Sequence, residues 1–333
     1  MDTRIGALAV KGVVMDSADF TRKIRTALAP RSLGAWPTPL ERAAPELWIK
    51  REDRSASVAG GNKVRGLEFL LARLPAGAAV VTVGGWGSTH CLATALHARA
   101  LGYRVALAQF PQGRSETGDA VARACLAHAD LCLRADHWIG FPRALAGAWR
   151  RARTLGPRRW IPAGGARADA VVGQLLGGLE LDGRFASPPD AIVTPLGSGG
   201  TAAGLLLAMT ALGWPTRVIG VRVAPAIVAN GVRVRSLARA ARRLLGRHGI
   251  AVPAPRPGGL RIIDALGRGY GHPTPAGEAA RERARAWGLT LDSTYAGKAF
   301  AALAHPGVRG LGCVVFWNTF APPDGLPQTG VRR

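Results

Sequence analysis

Lys63 stands in Val58-Ala59-Gly60-Gly61-Asn62-Lys63-Val64-Arg65-Gly66-Leu67, where a glycine-rich loop enters a helical pattern with apolar Leu67, Leu70, Leu71 and Leu74. Cations favour the other end of a helix, so this placement helps depress the lysine pKa and supplies a free amine for Schiff-base chemistry. A solvated surface lysine is the alternative. A second segment, Thr194-Pro195-Leu196-Gly197-Ser198-Gly199-Gly200-Thr201-Ala202-Ala203-Gly204, follows an apolar run and opens a helix. Its glycines turn backbone N–H groups toward one point, the helix dipole adds partial positive charge, and Ser198 and Thr201 offer hydroxyl donors. Such a loop suits a phosphate monoester. It is neither a P-loop nor a dinucleotide fingerprint, since no GK(S/T) follows and no acidic residue stands about 20 positions on. A tight turn without ligand is the alternative. The third segment, Gly84-Gly85-Trp86-Gly87-Ser88-Thr89-His90, is a cradle for a carboxylate or phosphate, unless Ser88 or Thr89 serves only as a helix N-cap. His90 stays open between core, surface and catalytic roles.

Strand and helix patterns alternate around these segments. Ala78–Val83, Arg104–Ala108, Leu131–Leu133, Trp160-Ile161, Ala191–Val193, Val218–Val221 and Val314–Phe316 read as strands. Helical patterns cover about 88–101, 116–129, 168–181, 202–212 and 278–287. This alternation predicts an α/β fold with mostly parallel sheets covered by helices. Gly246 to Tyr270, rich in Pro, Gly and Arg, reads as a long connection near a site.

At 333 residues the chain makes one large domain or two modest ones, and 48% apolar with 20% charged residues is ordinary for a globular protein. No stretch approaches the roughly 20 apolar residues of a membrane helix. The short patch Ile5–Val10 lacks the basic start and cleavage site of a signal peptide, so a cytoplasmic location is expected. The net charge of +23 raises the question of a nucleic-acid partner. Nearly all of it is Arg spread along the chain, as at Arg150-Arg151-Ala152-Arg153 and Arg242-Arg243, and no nucleic-acid-binding motif is present. Composition bias is therefore the expectation, and no nucleic acid is expected as partner. Cys91, Cys125, Cys132 and Cys313 form neither a CxxC pair nor a zinc pattern, which predicts buried free thiols and no metal site.

From about Thr38 to Thr319 the chain resembles the fold type II pyridoxal-phosphate (PLP) enzymes, in the branch of D-cysteine desulfhydrase and 1-aminocyclopropane-1-carboxylate (ACC) deaminase. Six motifs carry this in the family's order: Pro37–Leu40 with Leu47–Asp53, Gly60–Lys63 with Arg65, Gly84-Gly85 with Ser88, Ile161–Gly165, Gly197–Thr201, and the tyrosine segments Gly269-Tyr270-Gly271 and Tyr295–Ala299. The resemblance implies a tryptophan synthase beta-like fold with two open, twisted, mostly parallel sheets. A large domain (1–63 and 176–333) would carry a smaller inserted one (64–175), and the chain would form a homodimer. It implies that Lys63 holds PLP as a Schiff base and moves protons at the substrate Cα. Asn62 would contact the ring hydroxyl, Gly197, Ser198, Gly199, Gly200 and Thr201 the phosphate, and Thr319 the pyridine nitrogen. Ser88, Tyr270 and Tyr295 would face the substrate, with Thr89 and His90 beside them. The implied reaction is β-elimination on a small amino acid such as D-cysteine, giving a 2-oxoacid and ammonia. A racemase or a catalytically diverged homologue is the alternative, and a nucleic-acid-binding protein a remote one.

Three departures bear on the substrate. Relatives usually carry Gln-Ser-Asn-His where this chain has Gly87-Ser88-Thr89-His90. They follow the threonine with Gly-Gly where Phe320-Ala321 stand here. The acidic or hydroxyl residue often found after the second tyrosine is Ala296, which disfavours ACC deamination.

Overall fold

The computed structural model describes residues 8–10, 13–15 and 17–320, with side chains from residue 17 onward. Residues 5–7 of the Ile5–Val10 patch, and Ala321, lie outside them. A short antiparallel ribbon, β1 (Leu8–Val10) and β2 (Val13–Met15), precedes helix α1 (Ser17–Leu28). A hairpin of β3 (Leu40–Ala44) and β4 (Leu47–Arg51) leads to α2 (Lys63–Leu70). Next come β5 (Ala79–Gly85), α3 (Thr89–Ala100), β6 (Arg104–Phe110), α4 (Glu116–His128), β7 (Leu131–Arg134), α5 (Phe141–Arg151) and β8 (Arg158–Ile161). The chain continues through α6 (Ala168–Leu179), β9 (Ala191–Leu196), α7 (Gly200–Ala211), β10 (Arg217–Arg222) and α8 (Gly231–Gly246). It closes with β11 (Leu260–Asp264), α9 (Pro275–Ala284), α10 (Ala296–Ala301) and β12 (Val314–Asn318).

Two larger sheets result. The four-stranded one has the order β7-β6-β5-β8 and is parallel throughout. The six-stranded one has the order β11-β10-β9-β12-β4-β3, and only β3 runs antiparallel. Helices cover both faces of the larger sheet, so its central strands are apolar on both sides. Ile192, Leu196, Val315 and Trp317 pack with α6, α7 and α8. Ala191, Val193, Val314 and Phe316 face α9 and α10. This is the α/β class that the alternating patterns predict.

The stretch read as a connection from Gly246 to Tyr270 holds a strand. β11 pairs with β10 in parallel register, Val218 opposite Leu260 through Arg222 opposite Asp264. Its alternation was hidden by Arg261 and by the surrounding Pro and Gly, although Leu260 and Ile262 face one core and Ile263 the other. The thiols need a second correction: Cys91 and Cys125 are buried, whereas Cys132 and Cys313 are only partly so. Cys132 sits in β7, at the edge of its sheet, and Cys313 stands one residue before β12. Among the described residues no helix is long and apolar enough to cross a membrane, and no three metal-ligating side chains gather.

Candidate active site

Parallel strands present their C-terminal ends on one side, and the loops leaving them enclose the usual ligand crevice of open α/β sheets. Here Gly84 and Gly85 end β5, Gly197–Thr201 follow β9, and Thr319 follows β12; Lys63 opens α2 beside them. All thirteen residues singled out in the sequence line one cavity of about 480 Å³: Asn62, Lys63, Ser88, Thr89, His90, Gly197 to Thr201, Tyr270, Tyr295 and Thr319.

Asn62 ties the lysine loop to the rest. Its amide donates to Thr201 Oγ1 at 2.6 Å and accepts from Lys63 Nζ at 3.2 Å. Its backbone N–H reaches the Thr319 carbonyl at 3.3 Å, and its carbonyl accepts from Gln174 Nε2 at 2.6 Å. Burial lowers the Lys63 pKa to about 8, with the Asp292 carboxylate pulling the other way. Below the lysine an ion network pins α2. Arg65 donates to Glu52 at 2.6 and 2.8 Å and to Glu180 at 2.8 Å, while its guanidinium stacks over Trp36 at 3.9 Å. Lys50 reaches Glu180 at 2.6 Å.

The loop after β9 has the geometry of an anion cradle. Gly199 takes φ 91°, a left-handed conformation that favours glycine, and no side chain caps the N-terminus of α7. The first N–H groups of that helix are therefore left to the cavity or its ligand.

At the third segment Ser88 does cap α3, its Oγ accepting from Cys91 N at 3.3 Å, and it still lines the cavity. The two readings of Ser88 are thus compatible. His90 is buried, and Thr82 fixes its proton: the Thr82 hydroxyl donates to the Ile161 carbonyl at 2.8 Å, so His90 Nε2 must donate to Thr82 at 2.9 Å. Burial, and then Lys63, lower the imidazole pKa to about 3, leaving it neutral with Nδ1 unpartnered.

Tyr270 and Tyr295 bring their hydroxyls together in a short hydrogen bond, the rings meeting edge-on at 5.9 Å. Burial pushes the Tyr270 pKa up to about 12 and that of Tyr295 in the same direction. Asp292, which sequence reasoning missed, also lines this cavity. Its carboxylate accepts from the N–H groups of Thr294 (2.8 Å), Tyr295 (2.6 Å) and Ala296 (3.0 Å), setting the turn that aims Tyr295. The acidic residue of this turn thus stands three residues before Tyr295, while Ala296 follows it. The only local signal was an Asp four residues ahead of a short helix.

An uncapped helix start for a dianion and a buried amine of lowered pKa, in one cavity, are what a phosphorylated aldehyde cofactor requires, so these residues fit PLP. The family described as pyridoxal-phosphate dependent enzyme matches residues 31–319. The chain belongs to that family. It is 36% identical over 294 residues to nocardicin C-9' epimerase of Nocardia uniformis subsp. tsuyamanensis, which covers 84% of this chain and 88% of the relative. D-cysteine desulfhydrase of Salmonella choleraesuis (strain SC-B67) is 32% identical over 291 residues, covering 80% and 85%. Among solved structures, an ACC deaminase homologue superimposes with a TM-score of 0.73 at 28% identity, covering 89% of this chain and 94% of that one. The chain is a PLP-dependent enzyme of the ACC deaminase and D-cysteine desulfhydrase group, with the fold type II architecture.

Proposed function

We propose that this PLP enzyme removes the Cα proton of an amino acid and expels a β-substituent, after which water hydrolyses the released enamine, through its imine, to a 2-oxoacid and ammonia. The observation that carries the reading is the single cavity shared by Lys63, the Ser88 turn, the loop after β9 and the tyrosine hydroxyl pair. Bound PLP supplies the electron sink that acidifies the Cα–H. Gly197 to Thr201 would hold its phosphate through backbone N–H groups at the start of α7, and the neutral Thr319 hydroxyl would serve its ring nitrogen. Lys63 would hold the cofactor through its amine, and that amine would be the base at the substrate Cα. With its pKa lowered from 10.5 to about 8, roughly a tenth of the amine is unprotonated at pH 7, far more than an ordinary lysine would offer. The Ser88 and Thr89 hydroxyls with the N–H groups of the α3 start orient the substrate carboxylate. Tyr270 and Tyr295 stay protonated, so a proton is ready for the departing group. His90, neutral and bonded to Thr82, is a wall of the site that adds no second cation beside Lys63.

A second reading, epimerisation at Cα, is favoured by the presence of two proton carriers, Lys63 and the tyrosine pair, in one cavity, and by the 36% identity to an enzyme named as an epimerase. One group would take the proton and the other return it to the opposite face.

The test is incubation of the PLP-loaded protein with D and L β-substituted amino acids in deuterated water. Release of 2-oxoacid is expected. Deuterium at Cα with inversion and no 2-oxoacid moves the assignment to epimerisation, and neither product overturns both. Lys63→Ala is expected to lose covalent retention of the cofactor together with turnover; retained turnover would sink the role given to Lys63.

A further inference from the structure

The Lys63 cavity extends past the residues assigned to cofactor and carboxylate. Its volume of about 480 Å³ lies within the roughly 300–1,000 Å³ typical of sites for drug-sized ligands. The charged residues in its lining belong to the cofactor end. Lys63 and Asp292 feel each other's charge, and the Arg233 side chain lies beside Gly199 of the phosphate loop. The far wall is apolar: Phe110, Trp138, Phe141, Trp160, Ile227 and Val228.

That wall is ordered. Phe110 and Trp138 stack with centroids 4.8 Å apart and planes within 22°, and Phe141 meets them edge-on at 5.4 and 6.2 Å. Phe110 continues to Tyr270 at 6.1 Å, so an aromatic row runs from the outer wall to the hydroxyl pair. The same wall stays open to solvent. Trp138 is 61% exposed and Ile227 87% exposed, and Trp160 and Val228 are exposed as well. Exposed apolar residues clustered on one concave wall mark a groove for an apolar ligand. They also come from both sheets: Phe110 and Trp160 from β6 and β8, Ile227 and Val228 from the loop after β10.

We infer that the amino acid taken by this site carries a bulky aromatic or apolar group beyond its Cα, seated against Phe110, Trp138 and Phe141, in place of the small side chain the sequence resemblance implies. The inference rests on the reading of the Lys63 cavity as the place of Cα proton removal. A methyl or thiol held at Lys63 would leave the Trp138 wall to water. An aryl group would meet it at the 4.5–7 Å centroid spacing at which aromatic rings attract, with Ile227 and Val228 adding further apolar lining.

The test measures Cα–H exchange in deuterated water by the PLP-loaded protein for D and L alanine, cysteine, phenylalanine and phenylglycine. Binding is followed separately by quenching of tryptophan fluorescence. The aromatic amino acids are expected to exchange with kcat/KM at least tenfold above alanine and cysteine. Trp138→Ala is expected to lower this preference at least tenfold, and Trp138→Phe to restore most of it. Alanine or cysteine exchanging as well as the aromatic amino acids would overturn the inference, as would an equal loss for all substrates in Trp138→Ala. Exchange with no amino acid would overturn the reading of Lys63 instead, and the fluorescence titration would then decide alone: absence of saturable aromatic amino-acid binding sinks the inference.

Discussion

Lys63 is a base only when uncharged, and burial in a cavity shared with one carboxylate decides how often that is. In the cofactor-free chain its pKa of about 8 sets the pH dependence of PLP uptake. The ammonium dominates below that value, so the uptake rate is expected to rise about tenfold per pH unit there and to level off above it. A midpoint near the ordinary 10.5 in stopped-flow absorbance would show that the amine is not desolvated. Asp292 acts on the same residue by charge and on Tyr295 by three backbone hydrogen bonds. Asp292→Asn removes the charge, and the uptake midpoint is expected to fall below about 8. With the Tyr295 turn loosened, kcat is expected to drop about tenfold with a smaller change in KM, a loss of order 1.4 kcal/mol in transition-state stabilisation. A purely structural role for Asp292 would leave the midpoint unmoved. Residues whose chemistry is written locally, the Gly60–Lys63 loop and Gly197–Thr201, were legible in the sequence because spacing alone makes a loop that opens a helix. Asp292, Gln174 and Thr82 were not, because each matters only through a partner brought to it by the fold.

The element on which the site depends is α2, whose first residue is Lys63 and whose third, Arg65, is clasped by Glu52 and Glu180. It lies directly on α6, and α6 on α7. At the first crossing a Cβ on Gly173 would stand 2.1 Å from the Arg65 carbonyl oxygen, so only glycine allows the two backbones this contact. Gly173→Ala must push α2 away from α6. The expected cost is about 1–3 kcal/mol, read as a lower denaturation midpoint with an unchanged m-value. Because Lys63 shifts with α2, cofactor affinity is expected to fall as well; an unaltered midpoint and affinity would mean that the helices part freely. Central strands such as β5 and β9 were legible as largely apolar runs, each holding one buried threonine, since burial on both faces leaves no alternation to disturb. Of the elements that face solvent, α4 and α9 were legible by their helical pattern, whereas the bounds of α8 and β11 were not. α8 hides Val234, Leu237, Ala238, Ala241 and Leu245 among arginines, and β11 hides its two apolar faces among prolines and glycines.

For the molecule as a whole, the order of the larger sheet puts its latest strand in its middle. β12 fills the slot between β9 and β4 and carries Thr319 at its end, so the sheet and the cofactor site are completed by the same insertion. Truncation before Val314 is expected to give aggregated protein that retains no PLP, as read by gel filtration and visible absorbance; a soluble, PLP-binding product would show that the slot can stay empty. On the ribosome this order has a further meaning. β4 and β9 emerge early and must wait, each with an open row of backbone donors and acceptors, while more than a hundred residues separate β9 from the strand that will join them. Through that interval the nascent chain carries two unpaired strand edges suited to capture by a neighbouring polypeptide.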